Sequence, residues 1–135
     1  MEDLIVGQAA ELTRTVSEGD IGAFAAVTGD DNPIHLDEAY AAATPFKGRI
    51  AHGMLAAGYI SAAIGTKLPG PGAIYISQTL RFRRPVRIDD TVTTRVEITA
   101  LDQARARAAL ATTCLVNGKT VVEGEAEIMV PRRGA

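Results

Sequence analysis

The sequence predicts an α+β fold in which an antiparallel β-sheet curls around one long helix. Three observations lead there. Residues 52–67 carry no charge before Lys67 and are apolar on every helical face, so this helix must be covered on nearly every side. After Pro69-Gly70-Pro71-Gly72 the chain shows only strand patterns, with one wet and one dry face. Asn117-Gly118, a strong two-residue hairpin signal, joins the last two strands antiparallel.

The elements follow in order. Gln8 to Val16 reads as a short strand with Ala10, Leu12 and Arg14 alternating. Ser17 with Asp20 resembles a capping box, and opens a helix whose inner face is Ile21, Phe24, Ala25 and Thr28. Gly29 ends that helix, because glycine takes the left-handed cap conformation without a side-chain clash. Pro33 forces Asn32 out of the helical region, so Asp30-Asp31-Asn32-Pro33 is irregular where polar side chains cluster. Asp37 caps a short helix through Ala43, which stops before Pro45.

The long helix follows at about 52–67. Ile74, Ile76, Leu80 and Phe82 then share one face of a first long strand, interrupted by Gln78. Val92, Val96 and Ile98 line the second strand, and Ala106, Ala108, Leu110, Cys114 and Val116 the third. In the last strand, Thr120 to Val130, Val122, Ala126, Ile128 and Val130 oppose Glu123, Glu125 and Glu127. Arg132 to Ala135 reads as a loose tail.

Composition narrows the class. A chain of 135 residues is read as one domain, 1–135, able to bury roughly two-thirds of its unfolded surface. Fourteen basic against 16 acidic residues, a net charge of −2, gives no support for a nucleic-acid or anionic-membrane partner. The single cysteine, Cys114, cannot form an internal disulfide and reads as a small packed hydrophobe. No apolar run reaches the roughly 18 residues of a membrane span, and the start MEDLIVGQ lacks signal-peptide order. A cytoplasmic location is therefore expected.

Chemistry concentrates between Thr28 and Ser61. This stretch holds both histidines, His35 and His52, and the Asp-Asn-Pro turn. Taken singly, these residues are ordinary. Asp and Asn favour turns, a histidine at a helix start is usually a hydrogen-bonder, and Ser61 in an Ala-rich helix bonds back to its own backbone. Joint occurrence in this order is what points to a site.

The run Thr28-Gly29-Asp30-Asp31-Asn32-Pro33-Ile34-His35, then Ile50-Ala51-His52-Gly53-Met54-Leu55, resembles the hydratase motif of the MaoC-like hot-dog family. It is most similar to the (R)-specific enoyl-CoA hydratases that supply polyhydroxyalkanoate synthesis. Gly72-Ala73-Ile74-Tyr75, with Gln78, Leu80, Phe82 and Pro85, agrees, and the likeness runs over nearly the whole chain.

The resemblance implies a hot-dog fold with an overhang at 17–50, a homodimer, and a hydro-lyase reaction. That reaction is reversible addition of water to a trans-2-enoyl-CoA, giving the (R)-3-hydroxyacyl thioester. Asp30 and His35 are implied as the catalytic pair, Gly53 as the oxyanion-hole donor, and Asn32, His52, Ser61 and Ile64 as substrate-binding. No cofactor and no metal is expected; the acyl-CoA thioester is the substrate.

The residue types suit that chemistry. Histidine titrates near neutrality, an aspartate acts as an acid when burial raises its pKa, and which of the two delivers the proton stays open. A helix starting near His52 presents free N–H groups at Gly53 to a thioester oxygen. Two alternatives stay beside this reading: a 3-hydroxyacyl-ACP dehydratase of the same fold, and a non-catalytic acyl-CoA-binding hot-dog module. Arg81, Arg83, Arg84 and Arg87 read as a solvated strand face, one of which can hold a CoA phosphate.

Overall fold

Alternation in the C-terminal half produces the sheet. The computed structural model describes Met1 and residues 3–131, and the tail expected at Arg132 to Ala135 lies outside the described residues. The elements run β1 (Ala9–Thr15), α1 (Glu18–Thr28), α2 (Pro33–Leu36), α3 (Glu38–Ala42), α4 (Gly53–Thr66), β2 (Ile74–Gln78), β3 (Arg81–Phe82), β4 (Thr91–Asp102), β5 (Arg107–Val116) and β6 (Lys119–Met129). The six strands form one sheet in the order β1-β4-β5-β6-β2, with β3 also on β6. Every pairing is antiparallel. The β5–β6 turn takes positive φ at Asn117 (52°) and Gly118 (75°), the backbone that a tight hairpin needs.

Helix α4 lies against β1, β4, β5 and β6. Its Ala56, Ile60, Ala63 and Ile64 are buried with Val92, Val96, Ile98, Leu110, Cys114 and Ile128 from the dry face of the sheet. This is the hot-dog arrangement expected above. Thr94 and Thr112 share that dry face, each hydrogen-bonded, Thr94 with Cys114 Sγ and Thr112 with Gln78.

Three expectations are corrected. Helix α4 is not covered on nearly every side, because the chain supplies one sheet and hence one covering face; Met54, Gly58 and Ser61 are exposed. The "first long strand" is two strands, broken at Thr79-Leu80. There Thr79 N–H donates to the Glu125 carbonyl while its hydroxyl accepts from Glu125 N–H, and the Thr79 carbonyl sits where a Cβ on Gly124 would lie. Only glycine admits that approach. Ile74, Ile76 and Phe82 of the supposed dry face are exposed. Finally, Thr28 is exposed, its hydroxyl turned back to the Phe24 carbonyl at 2.6 Å.

Candidate active site

The site is assembled from helix ends. α1 opens with the capping box, Ser17 N–H donating to Asp20 and Asp20 N–H to the Ser17 hydroxyl, both at 3.0 Å. It closes on Gly29 in the left-handed conformation, φ 79°, whose N–H bonds the Ala25 carbonyl. The next residue, Asp30, is thereby thrown out of the helix, and its N–H donates to Thr28 Oγ1 at 3.1 Å. Asn32 (φ −51°, ψ 125°) is the bend that Pro33 demands. Its Oδ1 accepts from Ile34 N–H at 3.2 Å and caps α2, a one-turn helix that carries His35; this helix was not foreseen. Asn32 meets the Asp30 carboxylate through its backbone N–H, at 3.4 Å, and not through its side-chain amide.

Residues 49–52 then pass beside α2. Arg49 Nε donates to the His35 carbonyl at 2.7 Å, Ile50 N–H to the Ile34 carbonyl at 3.3 Å, and Ala51 N–H to the Val86 carbonyl at 2.6 Å. Along this latch both imidazoles acquire a tautomer. His35 Nδ1 lies 2.7 Å from the Ile50 carbonyl, which can only accept. Nδ1 therefore carries the hydrogen and Nε2 presents its lone pair. His52 Nε2 lies 2.9 Å from the Asp30 carbonyl, so there Nε2 carries the hydrogen. The rings of His35 and His52 stack at 3.9 Å and 28°, and Phe24 contacts His52 at 4.6 Å.

The result brings Asp30, His35 and His52 together: one carboxylate oxygen and one nitrogen from each ring all lie within 4.8 Å of one another. Such residues also hold metals; here each ring has one nitrogen against a backbone carbonyl and one left over. Asp30 is exposed while both histidines are buried.

Beside the pair lies a mostly apolar cavity of about 460 Å³. Its walls include His35, Gly53, Phe46, Phe82, Arg84 and Val86. Gly53 is the first residue of α4, and His52 gives that helix no side-chain cap; the Leu55 N–H bonds the His52 carbonyl at 3.0 Å, which leaves the N–H groups of Gly53 and Met54 at the tip without a bond among the described residues. The remaining candidates lie elsewhere. Asp30 and Asn32 are exposed beside the cavity wall, His52 is buried behind it at 3 % exposure, Ser61 lies on the open face of α4, and Ile64 is in the core. Sequence reasoning missed Phe24, Phe46 and Phe82 as site residues. The available signal was scarcity: the chain has three phenylalanines, and all three stand at this site.

Comparison with known proteins agrees with the geometry. The family model described as "MaoC like domain" matches residues 6–120. The chain is 56 % identical to an (R)-specific enoyl-CoA hydratase of Rhodospirillum rubrum, over 98 % of this chain and 92 % of that one. It is 55 % identical to a 3-hydroxybutyryl-CoA dehydratase of Methylorubrum extorquens, over 98 % of this chain and 84 % of the other. Among solved structures, R-hydratase PhaJ1 of Pseudomonas aeruginosa superposes with a TM-score of 0.93 at 53 % identity, covering 98 % of this chain and 85 % of that one. With a sheet packed on one long helix, an Asp-x-Asn-Pro-x-His turn held against His52 at the start of that helix, and a family match over most of its length, this chain belongs to the MaoC-like family.

Proposed function

We propose that the protein is an (R)-specific enoyl-CoA hydratase, a hydro-lyase that adds water reversibly to a trans-2-enoyl-CoA. The observation that carries this reading is the placement of the Asp30 carboxylate and the His35 ring within 4.8 Å of each other, with His35 and Gly53 in the wall of one cavity. A water held between the pair loses a proton to it as oxygen adds to Cβ. The pair returns a proton to Cα, so it ends each turnover as it began. The bare Nε2 of His35 suits the first of these transfers, since Nδ1 is committed to Ile50. Negative charge building on the thioester oxygen meets the free N–H groups and positive dipole end of α4 at Gly53. No cofactor enters the scheme.

The active unit is a homodimer in this proposal, supported by the open face of α4 and by the exposed Ile74, Ile76 and Phe82. The location is cytoplasmic; no helix of the described residues is long and apolar enough to cross a membrane. The test is spectrophotometric. Purified protein mixed with crotonyl-CoA and longer 2-enoyl-CoA thioesters should remove the enoyl absorbance, and chiral analysis should give the (R)-3-hydroxyacyl product. No loss of absorbance with any chain length, or an (S) product, overturns the reading.

A further inference from the structure

His52 is buried and stands outside the reaction written above, yet it touches both members of the reacting pair. We propose that His52 is a positioning residue that sets Asp30 and His35 relative to each other; the assignment rests on the hydratase reading.

Asp30 and His35 sit on separate pieces of backbone, joined only by the bend at Asn32. The local tie between them, Asn32 N–H to the Asp30 carboxylate, is long at 3.4 Å. His52 arrives from a third place, the start of α4, whose next turns are anchored in the core through Ala56 and Ile60. Its ring offers two different handles. The edge donates from Nε2 to the Asp30 carbonyl at 2.9 Å, and the face stacks on His35 at 3.9 Å. Phe24 from α1 touches the same ring and restricts its swing.

The other edge shows what the histidine is for. His52 Nδ1 is buried and has no hydrogen-bond partner among the described residues. A buried acceptor without a donor is unfavourable, and a phenylalanine would stack on His35 without incurring it. What phenylalanine lacks is the N–H that reaches Asp30. Nor does His52 contribute to the cavity wall, so direct substrate contact does not account for it.

Two measurements test this. With only two histidines in the chain, ¹⁵N-imidazole spectra of the parent contain two ring systems, assigned through either single variant. The His52 ring should carry its hydrogen on Nε2; a hydrogen on Nδ1 overturns the proposal whatever the enzyme does. The second is a double-mutant cycle on crotonyl-CoA, with melting curves to show that each variant folds. His52→Phe, a ring without the donor, should lower kcat about 10- to 100-fold with KM within about twofold. His52→Gln, which keeps a donor toward Asp30, should recover part of that loss, and it replaces His52→Phe in the cycle should the latter not fold. In the Asp30→Asn background either change should cost little more, because the carboxylate it positions is gone. Parental kcat in His52→Phe, or losses that multiply, overturns positioning while leaving the hydratase reading intact. A parent inactive on every enoyl-CoA brings down both.

Discussion

The Phe82 ring lies directly over Gly53: a Cβ built on that glycine would stand 2.6 Å from Phe82 Cε1. Helix α4 therefore begins with a residue that has no side chain because an aromatic ring occupies the space. Gly53→Ala should displace the ring, cost on the order of 1–3 kcal/mol of stability as an overpacked contact, and lower kcat by disturbing the donor at the helix tip. Trimming the ring in Gly53→Ala/Phe82→Ala should return part of the lost stability. Equal melting temperatures for the single and double variants would refute the contact.

Asp30→Asn and His35→Ala should each fold and each lose roughly 100- to 10,000-fold in kcat, the usual scale for a general acid or base. Asp30 is exposed, and its carboxylate makes one long local bond, accepting from Asn32 N–H at 3.4 Å, which the amide oxygen of an asparagine can also accept, so the fold does not need its charge. Near-parental hydration by either variant, measured with folding confirmed by circular dichroism, would remove that residue from the mechanism.

How much of this was legible beforehand depends on where each residue finds its partner. Caps were readable because Ser17 with Asp20, Gly29 and Asp37 satisfy neighbours a few positions away. Strands β4, β5 and β6 were readable because their dry faces are buried within the chain. Ile74, Ile76 and Phe82 show the same alternation but remain exposed, so an apolar pattern alone did not say what covers it. The break at Thr79-Leu80 was hidden because its cause, Gly124, lies on another strand. The proximity of Asp30 and His35 was suggested by their spacing, yet the His35–His52 stack and the anchoring of His35 to Ile50 arise only when residues 49–52 close over α2.

The capping box should give the folded state an acid limit. The Ser17 backbone N–H, and then its hydroxyl, hold the Asp20 carboxyl below its ordinary value. A carboxyl depressed in the folded state contributes stability that is present above its unfolded value, about 3.9, and is lost as pH falls through the folded one. Asp20→Asn should therefore flatten the pH dependence of melting below about pH 4. Ser17→Ala should cost about 1 kcal/mol at neutral pH through loss of the cap. Thermal melts across pH 2.5–7 would check both, and an unchanged acid slope in Asp20→Asn would count against the assignment.

Substitution of Arg84 offers a test that separates carrier from acyl chain. Arg83 is paired with Glu123 at 2.6 Å, whereas Arg84, also in the cavity wall, donates to the neutral Thr120 carbonyl and has no carboxylate partner among the described residues. Phosphates of CoA passing this rim would meet it. Arg84→Gln should raise KM for crotonyl-CoA roughly 2- to 5-fold, the scale of an exposed ion pair, with kcat unchanged. The crotonyl thioester of pantetheine, which lacks those phosphates, should show no change. Equal effects on both thioesters would assign Arg84 to the cavity's shape and not to the phosphates.

The open face of the molecule predicts self-association. Met54, Ile74 and Phe82 are 55 %, 56 % and 54 % exposed, and β2 ends the sheet with one edge unpaired among the described strands. Unpaired edges and clustered apolar side chains invite a like surface. A second copy would bury these groups, cover the face of α4 that bears Ser61, and supply material from outside this chain to dry Asp30. Sedimentation equilibrium should give twice the 14.2 kDa chain mass, and Ile74→Asp should shift the population toward monomer with a parallel loss of turnover. A parent that sediments as a fully active monomer would show instead that the substrate alone completes the site.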